Sequence, residues 1–473
     1  MAALVFPTSS APGLRPQEGA GRIVNGYAVK TEQGARGPLV WKRSAGLLDT
    51  GAAIPDHVHC RALIEVAGTV LHVLDERVYS VTESGDVFTP TNLGALTGTD
   101  NITIARNNAS TPNIVAVTND GTFNLFAGST PTSFADGDLP AVNSVEGVNG
   151  YFIWTTSAGV LWASGLNAVS VASNANQSTQ THPHGLLRGV FFRNEYFACG
   201  PDGLSVWEEV GTSPFPLAYK KIFIPVGLIG SHAITGFEPR GPGVVVWVAP
   251  DYTVRRLNGY QPDVISNDSV SAAIKSAADP SLIEACCYTD GKNAFAAITS
   301  PSEWTWELNL TTGAWNERTS YGRDDWRGRK SVFAFDRWLI GDDATGSLAV
   351  IDGTYKKEYN DPLIWLLRSG PNAQYNTRDG LEFDMTAALG VAAGADPIET
   401  DPVLMIRYSV DGGYNWSSQF TRTLGKQGQG DRRVIVNRLG MMKAKGLVVE
   451  CSISDPVAFE FYGAGTPRRL MAA

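Results

Sequence analysis

The chain lacks a basic surplus. Its 473 residues carry 38 Lys and Arg against 47 Asp and Glu, a formal charge of -9. Proteins that grip DNA through phosphates usually show the opposite balance, so tight nonspecific DNA binding is not expected. The chain also lacks a run of about 18 or more apolar residues, so no membrane span is expected. Its start, Met1 to Pro7, has no basic leader or long apolar segment, so no signal peptide is expected. Cysteine is scarce and odd in number: Cys60, Cys199, Cys286, Cys287 and Cys451. No two of them stand at a metal-clip spacing, and all five read as reduced, buried thiols of a chain folded in a cytosol. Six histidines fall without a nucleophile partner, and neither Gly-x-Ser-x-Gly nor a P-loop occurs. These absences point away from an enzyme, a cofactor or a metal site.

What is present is glycine, at 50 residues, and 10% aromatics. That mixture suits short strands joined by tight turns rather than long helices. The length exceeds what one hydrophobic core normally covers, so several domains or one repeat array is expected.

From about Arg61 to Tyr359 one unit recurs: an apolar strand, a polar turn and a second strand. Val70–Leu74 leads to Val78–Val81 and, past Gly85-Asp86, to Val87-Phe88. Ile114–Val117 leads through Asn119-Asp120-Gly121 to Phe123–Phe126. Tyr151–Trp154 leads to Val160–Trp162, and Tyr196–Cys199 through Asp202-Gly203 to Leu204–Trp207. Val244–Val248, Ala294–Ile298 and Trp338–Gly341 begin three more. Asp-Gly turns supply the positive φ of tight hairpins. A hairpin cannot bury its apolar face alone, whereas blades packed around an axis bury both faces of each sheet. The expected fold is all-β, a propeller of six to eight irregular blades over 52–359. A pair of β-sandwiches is the structural alternative. Residues 1–51 read as an N-terminal arm that crosses a neighbour or closes the ring. One helix is expected over Ser269–Ala278, behind the capping pair Asn267-Asp268. After Tyr359 longer alternating strands, such as Leu381, Phe383 and Met385, predict a β-sandwich or jelly-roll-like domain over 360–473.

Three motifs carry possible chemistry. Ser409, Asp411, Gly413 and Trp416 form an Asp box, whose carboxylate caps its own turn, whose glycine takes positive φ and whose Trp packs beneath the hairpin. It is read as structural. His57-Val58-His59-Cys60 and His182-Pro183-His184 cannot easily surround one ion from a single strand and are read as ordinary loop or strand histidines. Arg318, Arg323, Arg327, Arg329 and Lys330, interleaved with Tyr321 and Trp326, make the most basic run. It can touch DNA phosphates or a neighbouring subunit. The plainer reading is a loop whose arginines pair with Glu317, Asp324 and Asp325.

Several segments together resemble one family. Trp304–Arg318, then Trp338–Asp342 with Gly346-Ser347-Leu348, are similar to consecutive segments of the phage stabilisation proteins, the tail hub or nozzle proteins of short-tailed bacteriophages. Arg407–Trp416, Leu424-Gly425-Lys426, Asn437–Gly440 and Ser454-Asp455-Pro456 follow the family pattern in order and spacing. Arg22–Tyr27 with Ser44–Leu47 resembles its entry segment, with Ala45 where the family usually has proline. The resemblance implies a virion tail protein, assembled in the host cytoplasm. It implies a homohexameric ring below the portal adaptor that retains packaged DNA and conducts it during ejection. Tail fibres or spikes, a needle or plug, and transiently the genome would be its partners. Two other classes remain open: a carbohydrate-binding or glycan-cleaving tail propeller, and a component of a host-attachment fibre.

Overall fold

The computed structural model describes residues 3–467 except 16, 33–36, 53, 55, 97, 99, 119–122, 128–129, 376–379 and 396. The Asn119-Asp120-Gly121 turn of the second hairpin unit lies outside the described residues.

The repeated hairpins become the middle strands of a seven-bladed propeller. The first five blades are separate four-stranded antiparallel sheets, and the sixth and seventh are four antiparallel strands within larger sheets. The first runs from Cys60–Val66 to Val87–Ala95, the second from Thr103–Arg106 to Thr130–Ser133, and the third from Ser144–Val148 to Val171–Ser178. The fourth, fifth and sixth begin at Arg188–Phe192, Ile234–Thr235 and Glu284–Asp290. The seventh begins at Gly328–Ala334, and that strand packs beside Cys60–Val66 to close the circle. Middle strands such as Ile114–Val117, Val246–Val248 and Asn293–Ser300 are buried on nearly every residue. Blades press on them from both sides, so both faces must be apolar and the strand reads as a continuous run.

Residues 1–51 supply four strands: β1 (Gly21–Val24), β2 (Gly26–Lys30), β3 (Leu39–Arg43) and β4 (Gly46–Asp49). The last of them completes the seventh blade, pairing antiparallel with Leu348–Asp352. A ring closed by a strand from the opposite end of the chain cannot open without breaking that ladder. Gly46 has no room for a side chain, because a Cβ there would lie 2.3 Å from the Tyr355 carbonyl oxygen.

The other three strands enter the C-terminal domain, a sandwich of two sheets. One sheet holds β1, Trp365–Ser369, Val448–Ile453, Val403–Ser409 and Phe420–Thr423. The other holds β2, β3, Glu460–Gly465, Leu381–Met385 and Val434–Val436. Their alternating side chains meet in one core that includes Ile23, Trp41, Trp365, Phe383 and Phe461. Through β1 this domain is continuous with the propeller. Val24 pairs in parallel with Glu317 on the outer strand of the sixth blade, and Ile23 pairs with Leu367 on the other side. The result is one nine-stranded sheet spanning both domains.

The expected helix forms at Asp268–Ser276, with Asn267 as N-cap accepting from the Val270 amide at 2.9 Å. Val270 and Ile274 anchor it in the core between the fifth and sixth blades.

Candidate functional site

Three of the five residues of the basic run, Arg318, Arg327 and Arg329, lie buried in the sixth and seventh blades. Arg318 is fully buried. Its Nη2 donates to the Ala45 carbonyl at 2.6 Å, and its guanidinium lies 3.6 Å from Glu307 and 3.7 Å from Glu358. The indole of Trp326 stacks 4.5 Å away and donates from Nε1 to Glu358 at 2.9 Å. Burial pushes the Glu358 carboxyl above its usual range, and Arg318 only partly reverses this. Arg327 forks onto Asp342 at 2.6 and 2.7 Å and reaches Asp361 at 3.0 Å. Arg329 donates to Asp325 at 2.6 Å and to Asp343 at 3.1 Å. Arg323 also binds Asp325, at 2.8 Å, and Lys330 binds Glu284 at 2.6 Å.

All five residues are paired with carboxylates of the same chain. Arg318, Arg327 and Arg329 are buried and present no positive surface, whereas Arg323 and Lys330 are partly exposed. The loop pairing expected for them holds only for Asp325. Glu317 instead binds Arg22 at 2.7 Å, and Asp324 is exposed. Glu284, Glu307, Asp342 and Glu358 come from other strands, and Asp343 from the turn that follows one. Asp342 and Asp343 are thus both engaged in the same network.

The Asp box closes on itself. The Asp411 carboxylate accepts from the Asn415 amide at 2.9 Å, the Asn415 side chain at 2.7 Å and the Ser409 hydroxyl at 2.8 Å. These bonds, with a weaker one from Lys443, hold it well below the usual carboxylate range. Gly413 has φ +96° and donates to Ser409 Oγ at 2.9 Å. Trp416 donates to the Gly413 carbonyl at 3.1 Å. Its ring lies 5.1 Å from the Arg368 guanidinium and 4.9 Å from that of Arg407, and both arginines bind Glu450. The box thus braces the outer face of the sheet that joins sandwich to propeller.

Sequence reasoning missed a cavity of about 680 Å³ on the propeller axis. First strands of all seven blades line it. Its charged wall includes Glu146, Arg188 and Glu238, and its apolar wall Phe191, Phe237 and Phe333. Beside the lining residue Lys330, Glu284 accepts from Asn101 at 2.7 Å and from Lys330, tying the second, sixth and seventh blades. Burial pushes the Glu284 carboxyl up, but Lys330 and Arg329 outweigh it and hold it at about 2. Glu146 is the opposite case. Burial pushes it up to about 7, with Arg188 only partly offsetting. A perturbed acid in a cavity was detectable in sequence only as a lone Glu in Ser144–Val148, a strand too short and polar to stand out.

The histidines do not converge. His59 pairs with Asp343 at 2.8 Å, His184 with Asp202 at 2.6 Å, and His182 shares a hydrogen bond with Ser205 at 3.0 Å. Among the described residues no three His, Cys, Asp or Glu side chains are grouped to hold a metal ion. All five cysteines are free and buried, and burial raises each thiol for which a shift is resolved, such as Cys60 and Cys286. No described helix is long and apolar enough to cross a membrane.

A family described as "Bacteriophage P22 Gp10, beta-propeller" matches residues 28–356 of the chain. No curated protein matches it. Among solved structures it is similar to the WD40 propeller domain of Doa1, at 10% identity and TM-score 0.40, covering 65% of this chain and 96% of that one. The WD40 repeats of RRP9 match at 10% identity and TM-score 0.41, over 66% and 99%. The computationally designed Ika8 protein matches at 14% and 0.39, over 74% and 98%. At TM-scores under 0.5 these likenesses add nothing to the architecture already described.

Proposed function

The chain belongs to the phage stabilisation family of β-propeller proteins, and on that premise we propose that it is a tail hub, or nozzle, subunit. Copies of it would form a closed ring, a homohexamer, below the portal and its adaptor. The ring would carry fibres or spikes and a needle or plug, and would help keep packaged DNA in place until ejection.

The family match over residues 28–356 carries this reading. The fold supplies a physical reason for it. A tube wall must transmit load without bending. One nine-stranded sheet runs through both domains, and the buried arginine network lies beside the join. Ordered hydrogen bonds and buried ion pairs oppose hinge motion there more firmly than a flexible linker would. Ring closure would use heterologous contacts repeated around an axis. DNA retention would be steric, by the plug and the narrow wall, and not through Arg318 to Lys330, whose charges are paired with carboxylates of the same chain.

Electron microscopy of assembled particles tests the reading. The expected result is a sixfold ring of this chain at the tail vertex, and particles lacking it that package DNA and then leak it. Particles that hold their genome without the chain, or a chain that stays monomeric with every tail partner present, would overturn it.

A further inference from the structure

Two opposite charges face the axial cavity without satisfying each other. Glu146 accepts a single hydrogen bond, from the Gly147 amide at 3.2 Å. Arg188, on the first strand of the next blade, donates a single one, from Nη1 to the Ser231 carbonyl at 3.3 Å. Its Nε is buried without a partner, and its guanidinium lies over Phe237 at 5.1 Å. Two other charges nearby are better satisfied. Glu238 accepts from Thr235 Oγ1 at 2.8 Å and from the Gly236 amide at 2.6 Å, and Lys330 is held by Glu284. Half-desolvated charges that make no hydrogen bond to a neighbour of opposite sign cost stability, and such groups are characteristic of binding sites.

We propose that this cavity takes a short polypeptide segment of another virion protein, with a cationic side chain set on Glu146 and a backbone carbonyl on Arg188. The inference rests on the tail-subunit reading for its partner but not for its chemistry. A peptide is the class that offers a cation, a carbonyl acceptor and apolar flanks within a few ångströms of one another. The flanks would lie on Phe191, Phe237 and Phe333, all partly exposed. A cavity of 680 Å³ has room for about three or four residues. A nucleic acid offers no cation to Glu146, and its phosphates would meet Glu65, Glu146 and Glu238 as well as Arg106 and Arg240 on the same walls. A neutral glycan offers no cation to Glu146.

Calorimetric titration of the full chain at pH 8 tests this. The probes are capped tripeptides with a central lysine or a central glutamate between leucines. The lysine peptide is expected to bind, and the glutamate peptide to bind at least about tenfold more weakly. Glu146→Gln should weaken the lysine peptide by about tenfold, while Glu83→Gln, on the exposed rim of the first blade, should change nothing. Arg188→Met should weaken both peptides. Equal binding of the two peptides, no binding at millimolar concentration, or indifference to Glu146→Gln would overturn the inference. If the peptides fail while the chain is found in particles, only the cavity assignment falls. If the lysine peptide binds a chain absent from particles, the tail-subunit reading falls and the cavity assignment stands.

Discussion

Replacing Arg318 by methionine should unfold the junction between propeller and sandwich at much lower denaturant. Methionine roughly keeps the volume against Trp326 but removes the cation. Glu307 and Glu358 would stay behind, with 0% and 1% of their side chains exposed. Breaking a buried pair by removing one partner costs about 3–5 kcal/mol. The lost donor to Ala45 adds about 1 kcal/mol. Against this, Glu307 keeps Asn316 at 2.7 Å and a hydrogen bond from Tyr288, and Glu358 keeps Trp326. A net loss of about 4 kcal/mol at pH 8 is expected. The loss should shrink in acid. Glu358 already titrates above its ordinary range in the folded protein. Without Arg318 it would rise further, so the folded state binds a proton that the unfolded chain does not. Stability of the variant then falls as pH rises through that window, and the deficit should be about half as large at pH 5. Urea unfolding followed by tryptophan fluorescence at the two pH values measures both quantities. A loss under about 1 kcal/mol at pH 8, or the same loss at both pH values, would refute the account of Arg318 as the charge that balances two buried carboxylates.

Other outcomes follow from the same structure. Gly46→Ala should destabilise by about 1–3 kcal/mol, because its Cβ would meet backbone oxygens of Tyr355 and Lys357 at 2.3 and 2.4 Å. Gly137→Ala, with open space around it, should stay within about 0.5 kcal/mol, and equal effects in the two variants would be wrong for strand closure. Glu146→Gln should raise the urea midpoint at pH 8. An acid titrating near 7 instead of 4.5 costs up to about 3 kcal/mol above pH 7, and water in the cavity reduces this to about 1–2. Its penalty is absent below pH 4.5, where both states are protonated, so the gain should vanish there; a gain that persists in acid would mean the carboxylate is not the cause. Asp411→Ala should speed amide exchange at Asn415 by about tenfold while leaving the propeller unchanged. Unaltered exchange at Asn415 would mean that the Asp box does not hold its turn.

The hairpins were legible because they are local. Val70–Leu74 with Val78–Val81, Tyr196–Cys199 with Leu204–Trp207, and Trp338–Gly341 with Leu348–Ile351 lie on the second and third strands of their blades. Those strands are pressed from both sides, so their apolar runs are unbroken and their turns must reverse the chain within a few residues. First strands such as Ser144–Val148 face the axis on one side, carry polar residues there and gave no such run. The Asp box was legible for the same local reason, since all four of its residues act within one turn. The location of Trp416 was not: its ring stacks on Arg368 and Arg407 from two different strands.

By itself the order of residues determined a series of short antiparallel hairpins followed by a second set of longer strands, because strand periodicity and turn chemistry act over a few residues. Tertiary structure alone decided where the charges went. Arg318, Arg327 and Arg329 are adjacent in sequence to a basic, surface-like loop, yet their carboxylate partners Glu307, Asp342 and Glu358 arrive from other strands, and Asp343 from the turn that follows one. Closure by β4 and the sharing of β1 between domains likewise join residues about 300 positions apart. Such pairings depend on how sheets pack in space, and no short-range pattern encodes them.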